Sequence, residues 1–179
     1  MKVIVVFVLI LFETVFSPGR QELCREQLSK EMRQLWKDKS IQVEQLDIQE
    51  LQVGKELLAG RLNLDGKPVG YFISNRVNAC LEGGCSDPSN SISQRYDHFY
   101  YLAIYNDEGK ILRIKILEYQ SERGYEIASR IWLRQFAGFF GNEISYENQI
   151  DALAGATVSA NALIEEINYN ARIINLLKK

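Results

Sequence analysis

The stretch Asp151-Ala-Leu-Ala-Gly-Ala-Thr-Val-Ser159 sets a carboxylate, a run of small residues and two hydroxyls directly ahead of an amphipathic segment, Ala160–Leu177. The apolar spacing of that segment predicts a long C-terminal helix. Thr157 then falls at a helix N-terminus, where orphan backbone N–H groups and the positive end of the dipole favour an anion. The chemistry on offer is a phosphate held beside a hydroxyl. Gly155 and Ala156 leave room for a bulky group to approach the main chain. The same residues also suit plain helix capping, with Thr157 or Ser159 as the N-cap. Spacing alone leaves both readings open.

Other reactive groups are sparse. His98 is the one histidine, and the three cysteines, Cys24, Cys80 and Cys85, match no zinc, iron–sulfur or haem spacing. No metal site is expected. A formal net charge of −2 gives no basic footprint for nucleic acid, and no Gly-rich dinucleotide fingerprint follows a strand. Cys80 and Cys85 bracket Leu81-Glu82-Gly83-Gly84, whose paired glycines let the chain turn back. In an oxidising compartment the pair reads as a small disulfide staple, or alternatively as a redox-active dithiol.

The elements that position the Thr157 turn follow from patterning. Arg20–Lys39 repeats Leu23, Leu28, Met32 and Leu35 at near-helical spacing and predicts a helix. Ile41–Leu51 is compatible with a short strand. Leu57–Leu64 and Val69–Val77 flank Asp65-Gly66, a strong hairpin signal, and Asp87–Ser93 reads as a loop. Tyr100–Tyr105 and Lys110–Tyr119 flank a second turn, Asn106–Gly109. Ile127, Ile131, Trp132 and Phe136 predict a central helix over 129–140 with Ile131 and Phe136 facing the core. Runs of strands followed by helices imply an α+β fold, an antiparallel sheet with packed helices, and not a doubly wound parallel sheet.

At the N-terminus Lys2 precedes an apolar run, Val3–Phe12, which Glu13 interrupts. This is short of the about 20 apolar residues of a membrane span. Residues 1–19 therefore read as a secretory signal peptide cleaved after Gly19, with an uncleaved N-terminal anchor as the alternative. Residues 20–55 follow as an N-terminal helical segment and 56–179 as the main domain. The protein is expected to be exported, periplasmic or membrane-anchored on the extracytoplasmic side. Leu23 is too bulky to precede a lipidated Cys24.

Residues 151–157 resemble the flavinylation motif Asp-x-x-(Ser/Thr)-Gly-Ala-Thr of the FMN-binding domain family, found in covalently flavinylated subunits of the sodium-pumping NADH:quinone oxidoreductase and Rnf-type complexes. Asp151, Gly155, Ala156 and Thr157 match; Ala154 replaces the usual hydroxyl residue. The resemblance extends upstream to about Tyr96 and includes Glu122-Arg123-Gly124-Tyr125-Glu126, similar to the family's Glu-x-x-Gly segment. It implies an FMN-binding-domain-like fold in which Thr157 carries FMN through a phosphoester, installed by a flavin transferase with FAD as donor. Glu122 and Gly124 would lie near the flavin, and Ser159 is counted with them among the cofactor-binding residues. Tyr125 and Trp132 would offer aromatic faces to the ring. The implied role is an electron carrier or redox subunit serving a partner protein or a small-molecule acceptor. The alternatives are a flavin-dependent reductase and a non-redox module that has lost flavinylation.

Overall fold

The computed structural model describes residues 18–37, 39–46, 57–81, 96–120, 124–140 and 144–178. The segment ahead of Pro18, the loop 87–93, Glu122, Cys85 and the Cys80 side chain lie outside the described residues, and with them the Cys80–Cys85 pairing. Helix α1 spans Pro18–Leu35, followed by strands β1 Gln42–Leu46, β2 Leu58–Leu64, β3 Lys67–Leu81, β4 Tyr96–Asn106 and β5 Ile111–Tyr119. A short helix α2, Arg130–Leu133, and the long helix α3, Thr157–Leu177, complete the chain. The five strands form one antiparallel sheet in the order β1-β2-β3-β4-β5. This is the α+β architecture that the sequence predicts. Residues 42–46 belong to the sheet as its edge strand.

Turn chemistry closes both hairpins. Asp65 and Gly66 take φ values of 51° and 75°, the left-handed pair that a two-residue hairpin turn demands and that Asp-Gly supplies at little cost. Between β4 and β5, Gly109 sits at φ 91°, and the Asn106 side chain accepts the Lys110 N–H at 2.7 Å.

The sheet is covered on both faces. Phe99, Tyr101, Ala103 and Tyr105 of β4 pack with Leu163, Ile164, Ile167 and Ile174 of α3, whereas Tyr100, Leu102 and Ile104 pack with Cys24 and Leu28 of α1. Alternate residues of one strand thus serve two cores, which is why Phe99–Tyr105 reads as an unbroken apolar run. α1 is further held by Glu31, 2% exposed, which faces Lys115 at 3.4 Å and Arg113 at 3.6 Å on β5. On the opposite face Asn170 of α3 donates to the hydroxyls of Tyr101 at 2.8 Å and Tyr105 at 2.9 Å. Arg61 Nε donates to the Leu177 carbonyl at 2.8 Å, satisfying one orphan acceptor at the helix end.

Both long helices begin at the same end of the sheet, on opposite faces. Arg20 of α1 lies over the Tyr100 ring and 3.8 Å from Glu118, while Ser159 of α3 bonds the neighbouring Tyr119. Among the described residues no helix is long and apolar enough to cross a membrane.

The central helix differs from expectation. Tyr125–Ala128 and Arg134–Phe136 are 3-10 turns, and only Arg130–Leu133 between them is α-helical. Ser129 is extended at one side, and Ala137 (ψ 132°) and Gly138 (φ 91°) break the helix at the other. Ile131 is consequently not core: it is 79% exposed, whereas Trp132, Leu133 and Phe136 turn inward.

Candidate functional site

Thr157 is the first residue of α3, three residues earlier than the apolar periodicity alone places the helix start, and it is exposed. The N-cap is Ala156, with φ −128° and ψ 17°, and no side chain caps the helix. Neither Thr157 nor Ser159 acts as the N-cap. An alanine at this position is among the poorest choices for a helix start, so among the described residues no side-chain cap serves the start of this 21-residue helix. Gly155 enters this start at φ 82°, a left-handed conformation that disfavours any side chain.

Ser159 lies two residues further on, still in the first turn of α3. It is buried, and its Oγ is 2.8 Å from the Tyr119 hydroxyl at the end of β5. Gly124 fits against this pair. At φ 82°, a Cβ there would meet Tyr119 Oη at 2.6 Å and Ser159 Oγ at 2.9 Å. A hydroxyl pair and a bare main chain thus lock the turn after β5 onto the first turn of α3. Ser159 is committed to this lock.

Glu126, in the 3-10 turn that Gly124 initiates, reaches the other side of the turn before α3. A Cβ on Gly155 would stand 3.5 Å from Glu126 Oε1, and Glu126 Oε2 is enclosed without a hydrogen-bond partner among the described residues. Tyr125 beside it is 62% exposed, with its aromatic face open to a ligand. Trp132 is placed differently. It is 3% exposed, stands edge-on to Phe136, and donates its indole N–H to the Asp151 carbonyl at 2.9 Å. Its ring is core, and its contact with the turn runs through the Asp151 main chain. Asp151 is fixed a second time, its N–H donating to Gln135 Oε1 at 2.8 Å. Leu153 N–H donates to the Tyr146 hydroxyl at 2.6 Å.

Gly124, Tyr125, Asp151, Gly155, Ala156, Thr157 and Ser159 therefore gather around one helix start. Tyr119, Glu126, Gln135 and Tyr146 join them, and the sequence did not single these out. Tyr119 lies 40 residues from its partner, and no local pattern reports so distant a pairing. Among the described residues no group of His, Cys, Asp and Glu side chains is arranged to hold a metal ion. The hollow lined by Leu35, Trp36, Val69, Asn106 and Leu112 is at the opposite end of the sheet, at the C-terminus of α1, and includes none of these residues.

Residues 97–171 match the family model of the FMN-binding domain. The match runs from β4 into α3 and takes in the whole cluster around Thr157. No curated protein matches the chain.

Proposed function

We propose, from the match of residues 97–171 to the FMN-binding domain, that this flavin-binding protein carries FMN on Thr157 as a phosphoester and relays electrons outside the cytoplasm. The observation that carries the reading is an exposed hydroxyl on the first residue of a long helix whose N-cap is alanine and whose start has no side-chain cap among the described residues. A phosphate esterified there meets the orphan amides and the positive dipole end. Attachment requires a flavin transferase with FAD as donor. Thr157 Oγ forms the new P–O bond as the phosphoanhydride of FAD breaks, AMP leaves, and the hydroxyl proton passes to a base on the transferase.

The surrounding residues fit the group. Gly155 keeps the approach to Thr157 clear, Tyr125 offers an exposed aromatic face, and the Tyr119–Ser159–Gly124 lock holds the turn still. Bound FMN supplies one- and two-electron transfer, while the protein sets its position and surroundings. A tethered cofactor also suits an exported protein, since a dissociable one is lost by dilution. Export itself is supported by the Val3–Phe12 run, and the mass of the mature chain checks it.

The test is coexpression with a flavin transferase followed by denaturing electrophoresis under ultraviolet light. A fluorescent band is expected for the wild type and for Ser159→Ala, and none for Thr157→Ala. Fluorescence that survives in Thr157→Ala and vanishes in Ser159→Ala would move the acceptor to Ser159. Absence of any band in the wild type, with active transferase present, would overturn covalent attachment.

A further inference from the structure

Two enclosed carboxylate oxygens lack a hydrogen-bond partner among the described residues, Glu31 Oε2 and Glu126 Oε2. Glu31 Oε2 has the Arg113 guanidinium at 3.6 Å. Glu126 has no ion-pair partner among the described residues. Its side chain lies along Gly155, with Oε1 at 3.5 Å and Oε2 at 4.0 Å from the position a Cβ would take there, two residues before Thr157. A stranded carboxylate oxygen is costly, so the donor that completes it belongs to something that binds.

The identity of that donor follows from chemistry. An ionised carboxylate only accepts. A phosphate on Thr157 offers it no hydrogen, and two neighbouring anions repel. The part of FMN adjoining the phosphate is the ribityl chain, whose hydroxyls are donors. We infer that Glu126 is a positioning residue that accepts a hydrogen bond from the ribityl chain of the cofactor on Thr157, an inference that rests on the phosphoester reading. Glu126 then orients the ring by fixing the chain that leads to it, while Gly155 keeps the space between carboxylate and cofactor free of a side chain.

Such a residue has a signature that a purely structural one lacks. Without flavin the carboxylate oxygen is unpaired, and with flavin it is paired, so removing it affects the two forms oppositely. Glu126→Leu keeps the reach of the side chain without an acceptor, and Glu126→Gln keeps an acceptor without the charge. Flavinylated and unmodified wild type, Glu126→Leu and Glu126→Gln are compared by thermal unfolding and by the fluorescence anisotropy of the attached flavin. The wild type is expected to melt higher when flavinylated. In Glu126→Leu that gain is lost, the unmodified protein melts no lower than wild type, and the anisotropy falls. Glu126→Gln restores both gain and anisotropy. Equal shifts of both forms in Glu126→Leu, with unchanged anisotropy, would overturn the inference while leaving Thr157 as the acceptor. A wild type whose intact mass shows no flavin overturns both.

Discussion

At the scale of single residues, the two glycines of the site have the same backbone conformation and different surroundings, which separates conformational from packing effects. Gly124 and Gly155 both lie at φ 82°, where an alanine costs roughly 1–2 kcal/mol. For Gly155→Ala that is most of the effect, because the nearest atom to the new Cβ is Glu126 Oε1 at 3.5 Å. Gly124→Ala also drives a methyl into Tyr119 Oη at 2.6 Å and Ser159 Oγ at 2.9 Å, adding roughly 1–3 kcal/mol of overpacking. Urea unfolding should rank Gly124→Ala as the more damaging, and flavin attachment should fall with it, because the turn no longer seats on α3. Equal midpoints for the two variants would mean that the lock is not formed. Ser159→Ala loses a single hydroxyl pair and should cost about 1 kcal/mol, with attachment retained.

At the scale of elements, the parts legible in the sequence are those governed by local chemistry. The Asp65-Gly66 hairpin follows from two residues that tolerate positive φ, and α3 follows from an apolar stripe sustained over most of its length. The central segment is not legible in this way, because Ile127, Ile131 and Phe136 mimic a helical stripe. Ala137 and Gly138 end it, and the short helix rotates Ile131 out to 79% exposure. Thr157 was legible because its motif is contiguous. The groups that hold it, Tyr119 through Ser159 and Glu126 through Gly155, come together only when β5 and α3 pack, and single-sequence spacing carries no trace of that. Asn170 is hidden in the same way. It reads as a polar interruption of α3, yet it is fully buried and bonded to two tyrosines of β4. Asn170→Leu should therefore destabilise by about 2–6 kcal/mol, since it strands two buried hydroxyls at roughly 1–3 kcal/mol each. The triple variant with Tyr101→Phe and Tyr105→Phe should recover most of that loss in denaturant unfolding, because removing all partners leaves nothing unsatisfied. A triple variant less stable than Asn170→Leu would show that the hydroxyls are bonded elsewhere.

At the scale of the whole molecule, the sheet joins two cores, and the tyrosines at its centre make folding sensitive to alkali. Burial holds both Tyr101 and Tyr105 well above the ordinary tyrosine value of 10.0, and Asn170 only partly offsets this. Below about pH 10 both are protonated whether the chain is folded or not, so their contribution is constant. Above it the unfolded chain releases these protons and the folded chain keeps them. Stability then falls by about 1.4 kcal/mol per pH unit per tyrosine, or about 2.7 kcal/mol per unit for the two. Burial also raises the Cys24 thiol from 9.0, which begins the same downward bend near pH 9, and Tyr71 shifts in the same direction. Against the about 5–15 kcal/mol of a typical domain, these slopes bring unfolding within a few pH units. Urea midpoints should be level from about pH 7 to 8.5 and drop steeply above pH 10. Tyr105→Phe should remove close to half of the tyrosine slope while the thiol bend persists, which separates the central pair from lysine titration in the same range. A Tyr105→Phe curve parallel to wild type above pH 10 would place the alkaline sensitivity outside the tyrosine pair.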